Sequence, residues 1–164
     1  MSLYHLNVTL HVLAALLWLG GMFFLGVVGA PVLRKVEPPE LRAQLFQQLG
    51  TAFRTAGWAS IVVLLITGTL NLHYRSVLSW SVLGSGSFWA TSYGTALAVK
   101  LIAVLLMVGI SAVHDFRHGP RAGRLRPGSP EALRARRLAA WLARINALLG
   151  IILVFAAVRL ARGG

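Results

Sequence analysis

The chain contains no cysteine and only four acidic residues, Glu37, Glu40, Asp115 and Glu131. The first absence excludes disulfides, thiolate metal sites and thiol catalysis. The second excludes an ordinary water-facing surface, because a soluble domain is normally about a quarter charged. Here charged residues make up 12% of 164 residues and hydrophobic ones 57%, with a mean hydropathy of +0.72. An HExxH zinc motif is absent as well, so metallohydrolase chemistry is not expected.

What is present in quantity is apolar sequence and positive charge. Four apolar stretches, at about residues 3–33, 53–74, 92–113 and 138–160, each reach the roughly 20 residues that a helix needs to cross hydrocarbon. They predict an all-α integral membrane protein, a single four-helix transmembrane bundle covering residues 1–164. The first stretch has no Lys or Arg at its amino end and a longer apolar run than a secretory signal, so it is expected to be a retained helix.

The net charge of +12 would suggest nucleic acid in a soluble protein, but the positions of the charges point elsewhere. Arg34, Lys35, Arg42 and Arg54 flank the first connection. Arg117, Arg121, Arg124, Arg126, Arg134, Arg136 and Arg137 occupy the third, whereas the second holds only Arg75. By the positive-inside rule the first and third connections are cytoplasmic and both termini face the periplasm, in an inner-membrane protein. Anionic lipid head groups are the expected partner of this charge, and no nucleic acid is expected.

Local signals refine the connections. Pro38-Pro39-Glu40, followed by Leu41, Leu45, Phe46 and Leu49 at helical spacing and then Gly50, predicts a short amphipathic helix on the cytoplasmic face. Ser129-Pro130-Glu131 predicts a capped start for the fourth helix, well before it enters lipid. Gly119–Gly128 reads as a loop, and Trp80, Phe88 and Trp89 as an interfacial aromatic belt.

Polar residues at membrane depth are where function is sought. At about 1.5 Å per residue, His11 lies about 10 Å, His73 about 13 Å and Lys100 about 5 Å outward of the middle of their spans. Asn7, Asn71 and Tyr93 lie at similar or shallower levels. His114 and Asp115 lie at the opposite end, where they are expected to be interfacial, and His5 and His118 are expected to be solvated.

Helical spacing places Tyr4, Asn7, His11, Trp18 on one stripe, and Tyr93, Ala96, Lys100, Ala103, Met107, Ser111, His114 on another. A small-residue face on the fourth helix includes Asn146 and Gly150. On the second helix Ser60, Thr67 and Asn71 share one face, and His73 is about 200° from Asn71. Either His73 faces the interior and Asn71 does not, or the helix end is irregular.

Two histidines at one level predict a haem b in the outer half, with His11 and His73 as axial ligands to iron. Lys100 is the competing ligand or a propionate and proton partner, and Asn7, Tyr93 and Asn71 complete the pocket. This reading makes the chain an electron-transfer or haem-handling protein, a membrane oxidoreductase working with a quinone or a periplasmic redox partner. The alternatives are copper transport and a cofactor-free assembly subunit whose histidines join helices; homo-oligomerisation is left open. Cu(I) prefers thiolates and thioethers, and the chain offers only Met1, Met22 and Met107.

Leu10-His11-Val12 followed by Trp18-Leu19-Gly20-Gly21 resembles the first helix of the copper-resistance protein D family and of the related J-type protoporphyrinogen oxidases. Thr67-Gly68, Tyr93-Gly94, Leu97 to Lys100-Leu101 and the closing run Asn146 to Leu160 extend the likeness to all four spans. The resemblance implies a four-helix membrane unit handling haem or copper. From the oxidases it carries a functional His and Lys onto His11 and Lys100. The chain departs from those oxidases over Val27–Leu33, which lacks their Tyr-His pair, and against the copper-resistance proteins it is expected to be a four-helix unit without the added spans of many members.

Overall fold

The computed structural model describes residues 2–118, 125 and 129–163. The side chains of His118 and Arg136 fall outside that description, as does the expected loop Gly119–Gly128 apart from Leu125. Every described span is helical. Helix α1 runs Leu3–Leu33, α2 Pro39–Tyr74, α3 Trp80–Leu83 and α4 Gly86–Ala90. Helix α5 runs Ser92–Arg117 and α6 Pro130–Ala161. Four of them, α1, α2, α5 and α6, are long and apolar enough to cross a membrane. The chain is a multi-pass, all-α membrane protein.

The helix starts follow from side-chain caps. The hydroxyls of Ser2, Thr91 and Ser129 accept from the amides of His5, Gly94 and Ala132, satisfying N–H groups that a first turn leaves unpaired. The capped start at Ser129-Pro130-Glu131 is where the sequence places it. Helix α1 departs from regular geometry in π-helical turns at Leu16–Gly20 and Leu25–Gly29. The second lies just before Pro31, whose missing N–H and ring clash disrupt the bond to the carbonyl four residues back; widening the turn relieves it.

One expectation is corrected. Residues 39–50 do not form a separate amphipathic helix that stops at Gly50. They are the first turns of α2, which is continuous over 36 residues. That is about 54 Å, against about 30 Å of hydrocarbon. A lone glycine costs a helix interior only about 1 kcal/mol relative to alanine, and good helix formers on both sides override it.

The far end of α2 closes in a Schellman turn. Val77 N–H bonds to the Leu72 carbonyl at 3.0 Å and Ser76 N–H to the His73 carbonyl at 2.9 Å, with Ser76 at φ 56° and Val77 buried. The helix is therefore regular through His73.

The spans group into two compact units, Met1–Gly84 and Ser85–Gly164. In the first, α1 packs antiparallel on α2, and in the second α5 packs on α6. The apolar core of the first unit is built around Ala14, Trp18, Leu19 and Ile61. That of the second includes Ala96, Leu97, Ala103, Met107 and Ala156. In the second unit, a Cβ on Gly94 would collide with the Phe88 carbonyl, so α4 can fold back onto the first turn of α5 only over a glycine. Large apolar residues such as Leu16, Val27, Leu105 and Phe155 are exposed, as a lipid-facing surface requires.

Candidate functional site

The α1 stripe meets α2 from Tyr4 to Trp18. The Tyr4 and Tyr74 rings pack edge to face at 5.5 Å, and further along the helix the Trp18 indole lies beside Gly57. Between these ends lies a buried polar cluster, and its members come from both helices.

Asn7, 6% exposed, donates both amide protons from Nδ2, to the Thr67 carbonyl at 3.0 Å and to Asn71 Oδ1 at 2.9 Å. One turn along α1, His11 Nδ1 lies 2.7 Å from Thr67 Oγ1. The imidazole lies against the next residue, Gly68, where a Cβ would stand 3.4 Å from His11 Cε1, an ordinary contact.

The hydrogen bonds of Thr67 favour one tautomer of His11. Thr67 has one hydroxyl proton, which it donates to the Val63 carbonyl at 2.6 Å. With that proton engaged, the Thr67 oxygen is suited to accept from His11, an arrangement that favours the Nδ1–H tautomer of a neutral ring, with the lone pair on Nε2. That is the arrangement of a metal-ligating imidazole, in which a bond through one ring nitrogen orients the other.

The structure brings together three of the residues expected at the site, Asn7, His11 and Asn71, and adds Thr67. It decides between the two faces of α2 in favour of Asn71: Ser60 and Thr67 are buried and Asn71 is half-buried, whereas His73 is exposed with its ring against Tyr74. The six residues from Thr67 to His73 turn the helix by about 240°, and the regular end of α2 gives His73 no means of swinging back. His73 therefore does not stand opposite His11 across a haem. Tyr93 and Lys100 belong to the second unit, where Tyr93 packs near Phe88 at 6.3 Å and Lys100 is half-buried on the stripe of Ala96 and Ala103.

His5, beside Ser2 at 2.5 Å, is exposed at the start of α1. His114 is half-buried and bonds Asp115 through Nδ1 at 2.8 Å. In the second unit, Asn146 of α6 donates to Ser111 Oγ of α5 at 3.0 Å.

The bonds of Thr67 to His11 and Asn7, and the Ser111–Asn146 bond, are contacts that spacing alone did not pair. The signal for Thr67 was its position four residues before Asn71 on one helical face. For Ser111 and Asn146 each stripe was legible, but the pairing between them was not.

The donor set can be weighed against the metals expected. Among the described residues no three His, Cys, Asp or Glu side chains group to hold an ion. Met107 is fully buried in the second unit, and Met22 is half-buried in the first. A resident haem b with two opposed imidazoles does not fit the first unit, because only one of its membrane-depth histidines turns inward.

Comparison with known proteins gives two findings. A family model described as copper resistance protein D matches residues 47–160, a range that starts within α2 and leaves α1 outside. An uncharacterized protein of Aquifex aeolicus (strain VF5) is 32% identical over 155 residues, covering 94% of this chain and 92% of that protein. No solved structure matches the chain.

Proposed function

Because this chain belongs to the copper resistance protein D family, we propose that it handles copper as cargo at the cytoplasmic membrane, moving the ion between the two faces. The observation that carries this reading is the family match over three of the four spans. The geometry of α1 and α2 supports it by supplying an intramembrane imidazole whose Nε2 lone pair is favoured by the hydrogen bonds of Thr67.

In this reading His11 is the copper ligand, and imidazole suits copper in either common oxidation state when thiols are lacking. Thr67 is a positioning residue that fixes the ring. Asn7 and Asn71 tie the two helices at that level, so that the imidazole keeps its place as an ion arrives and leaves. Both termini face outward, and the arginines of the third connection rest on anionic head groups.

The test is cellular copper content at fixed external copper, with the chain expressed at matched membrane levels as wild type or His11→Gln. Expression of wild type is expected to change the copper content severalfold and His11→Gln to return it to that of cells without the chain. No change on expressing wild type overturns the proposal. So does purified wild type with a Soret band lost in His11→Gln while copper content is unaffected; that result would reinstate haem.

A further inference from the structure

Asn146 is 94% buried between α5 and α6, and its two amide ends have different fates. Nδ2 donates to Ser111 Oγ, whereas Oδ1 is buried without a hydrogen-bond partner among the described residues. Turning the amide over would exchange an orphaned carbonyl for an orphaned NH2, since Ser111 can occupy only one end. Buried amide oxygens almost always have a donor, from protein or from ordered water.

Three further features lie along the same face of α5. One turn beyond Ser111, His114 and Asp115 are both half-buried and joined at 2.8 Å. From Val113 to His118 the helix opens into a π-helical turn, a widening that recurs at functional sites. In the other direction, Met107 is 0% exposed and closes the face with an apolar side chain. Polar groups thus run from the end of α5 inward for about 9 Å and stop.

We propose that this stretch is a hydrated inlet between α5 and α6. It opens at the end bearing the arginine-rich connection and terminates at Asn146, whose Oδ1 accepts a hydrogen bond from a bound water. The inlet gives water, and through it protons, access from that face to a depth where the surrounding surface is apolar. It stands whether or not copper is the cargo, because no metal takes part in the argument.

The absence of native cysteine provides the test, since any introduced cysteine is the one thiol in the protein. The thiolate, which forms readily only in water, is the species that reacts. The full-length chain in sealed membrane vesicles carries Asn146→Cys or Ser111→Cys, with Glu131→Cys as the exposed reference and buried Ala103→Cys as the dry one. A charged, membrane-impermeant methanethiosulfonate is applied to each face in turn. Asn146→Cys and Ser111→Cys are expected to react from the same face as Glu131→Cys, at rates within about tenfold of it. Ala103→Cys is expected to be about a hundredfold slower, because apolar burial suppresses the thiolate. Rates as slow as that of Ala103→Cys at both positions, or reaction from the opposite face alone, overturn the inlet. If Asn146→Cys does not reach the membrane, Ser111→Cys decides the matter by itself.

Discussion

At the scale of single residues, Thr67 does more than its side chain suggests. Its hydroxyl closes a local bond to the Val63 carbonyl and accepts from His11, while its backbone carbonyl accepts from Asn7. Both α1 polar side chains are therefore answered by one α2 residue. Thr67→Val keeps the shape and removes only the hydroxyl, leaving His11 Nδ1–H without its acceptor. Interhelical hydrogen bonds in membranes are worth about 0.6–1.7 kcal/mol, so Thr67→Val should destabilise the protein by about 1 kcal/mol. A thermal midpoint in detergent no lower than that of wild type would show that His11 does not depend on this bond. The sequence displayed the stripe of Asn7 and His11 and the face of Thr67 and Asn71, but not their contact. Helical periodicity says which side chains share a face; it is silent on which face meets the neighbour.

At the scale of elements, the end of α2 decides the fate of His73. The Schellman bonds from Ser76 and Val77 hold the last turn in regular α geometry, so His73 stays where its angle puts it, on the exposed side. Ser76 occupies the left-handed position at φ 56°, where a side chain costs about 1–2 kcal/mol and glycine nothing. Ser76→Gly should therefore stabilise the protein by about 1 kcal/mol, read as a higher midpoint in the same thermal experiment. A fall in the midpoint would mean that the Ser76 side chain contributes more than its backbone conformation costs. The continuity of α2 belongs to the same scale. A proline-led start and a glycine 11 residues on look like a short separate helix, yet the intervening residues are strong helix formers and the cost of Gly50 is small.

At the scale of the whole molecule, charge distribution and element content are linked. Four long apolar helices carry no orientation signal of their own, and by the positive-inside rule the arginines of the connections are the groups expected to supply one. Replacing Arg117, Arg121, Arg124, Arg126, Arg134, Arg136 and Arg137 by Gln is expected to give mixed orientation. The face from which a Glu131→Cys reference is labelled would report it. A single unchanged orientation after all seven replacements would show that the first connection suffices.

The sequence by itself determined that the protein is all-α and that four of its helices are long and apolar enough to cross a membrane. Those properties follow from composition and from the 3.6-residue period, which are local. Only the tertiary structure decided that Asn71 turns inward and His73 outward, that His11 meets Thr67, and that Asn146 Oδ1, in the second of two compact units, is buried without a partner among the described residues. Each of these depends on what a second helix places opposite a given face. A hydrogen bond has one proton and a helix face has one neighbour, and both become definite only when the helices pack.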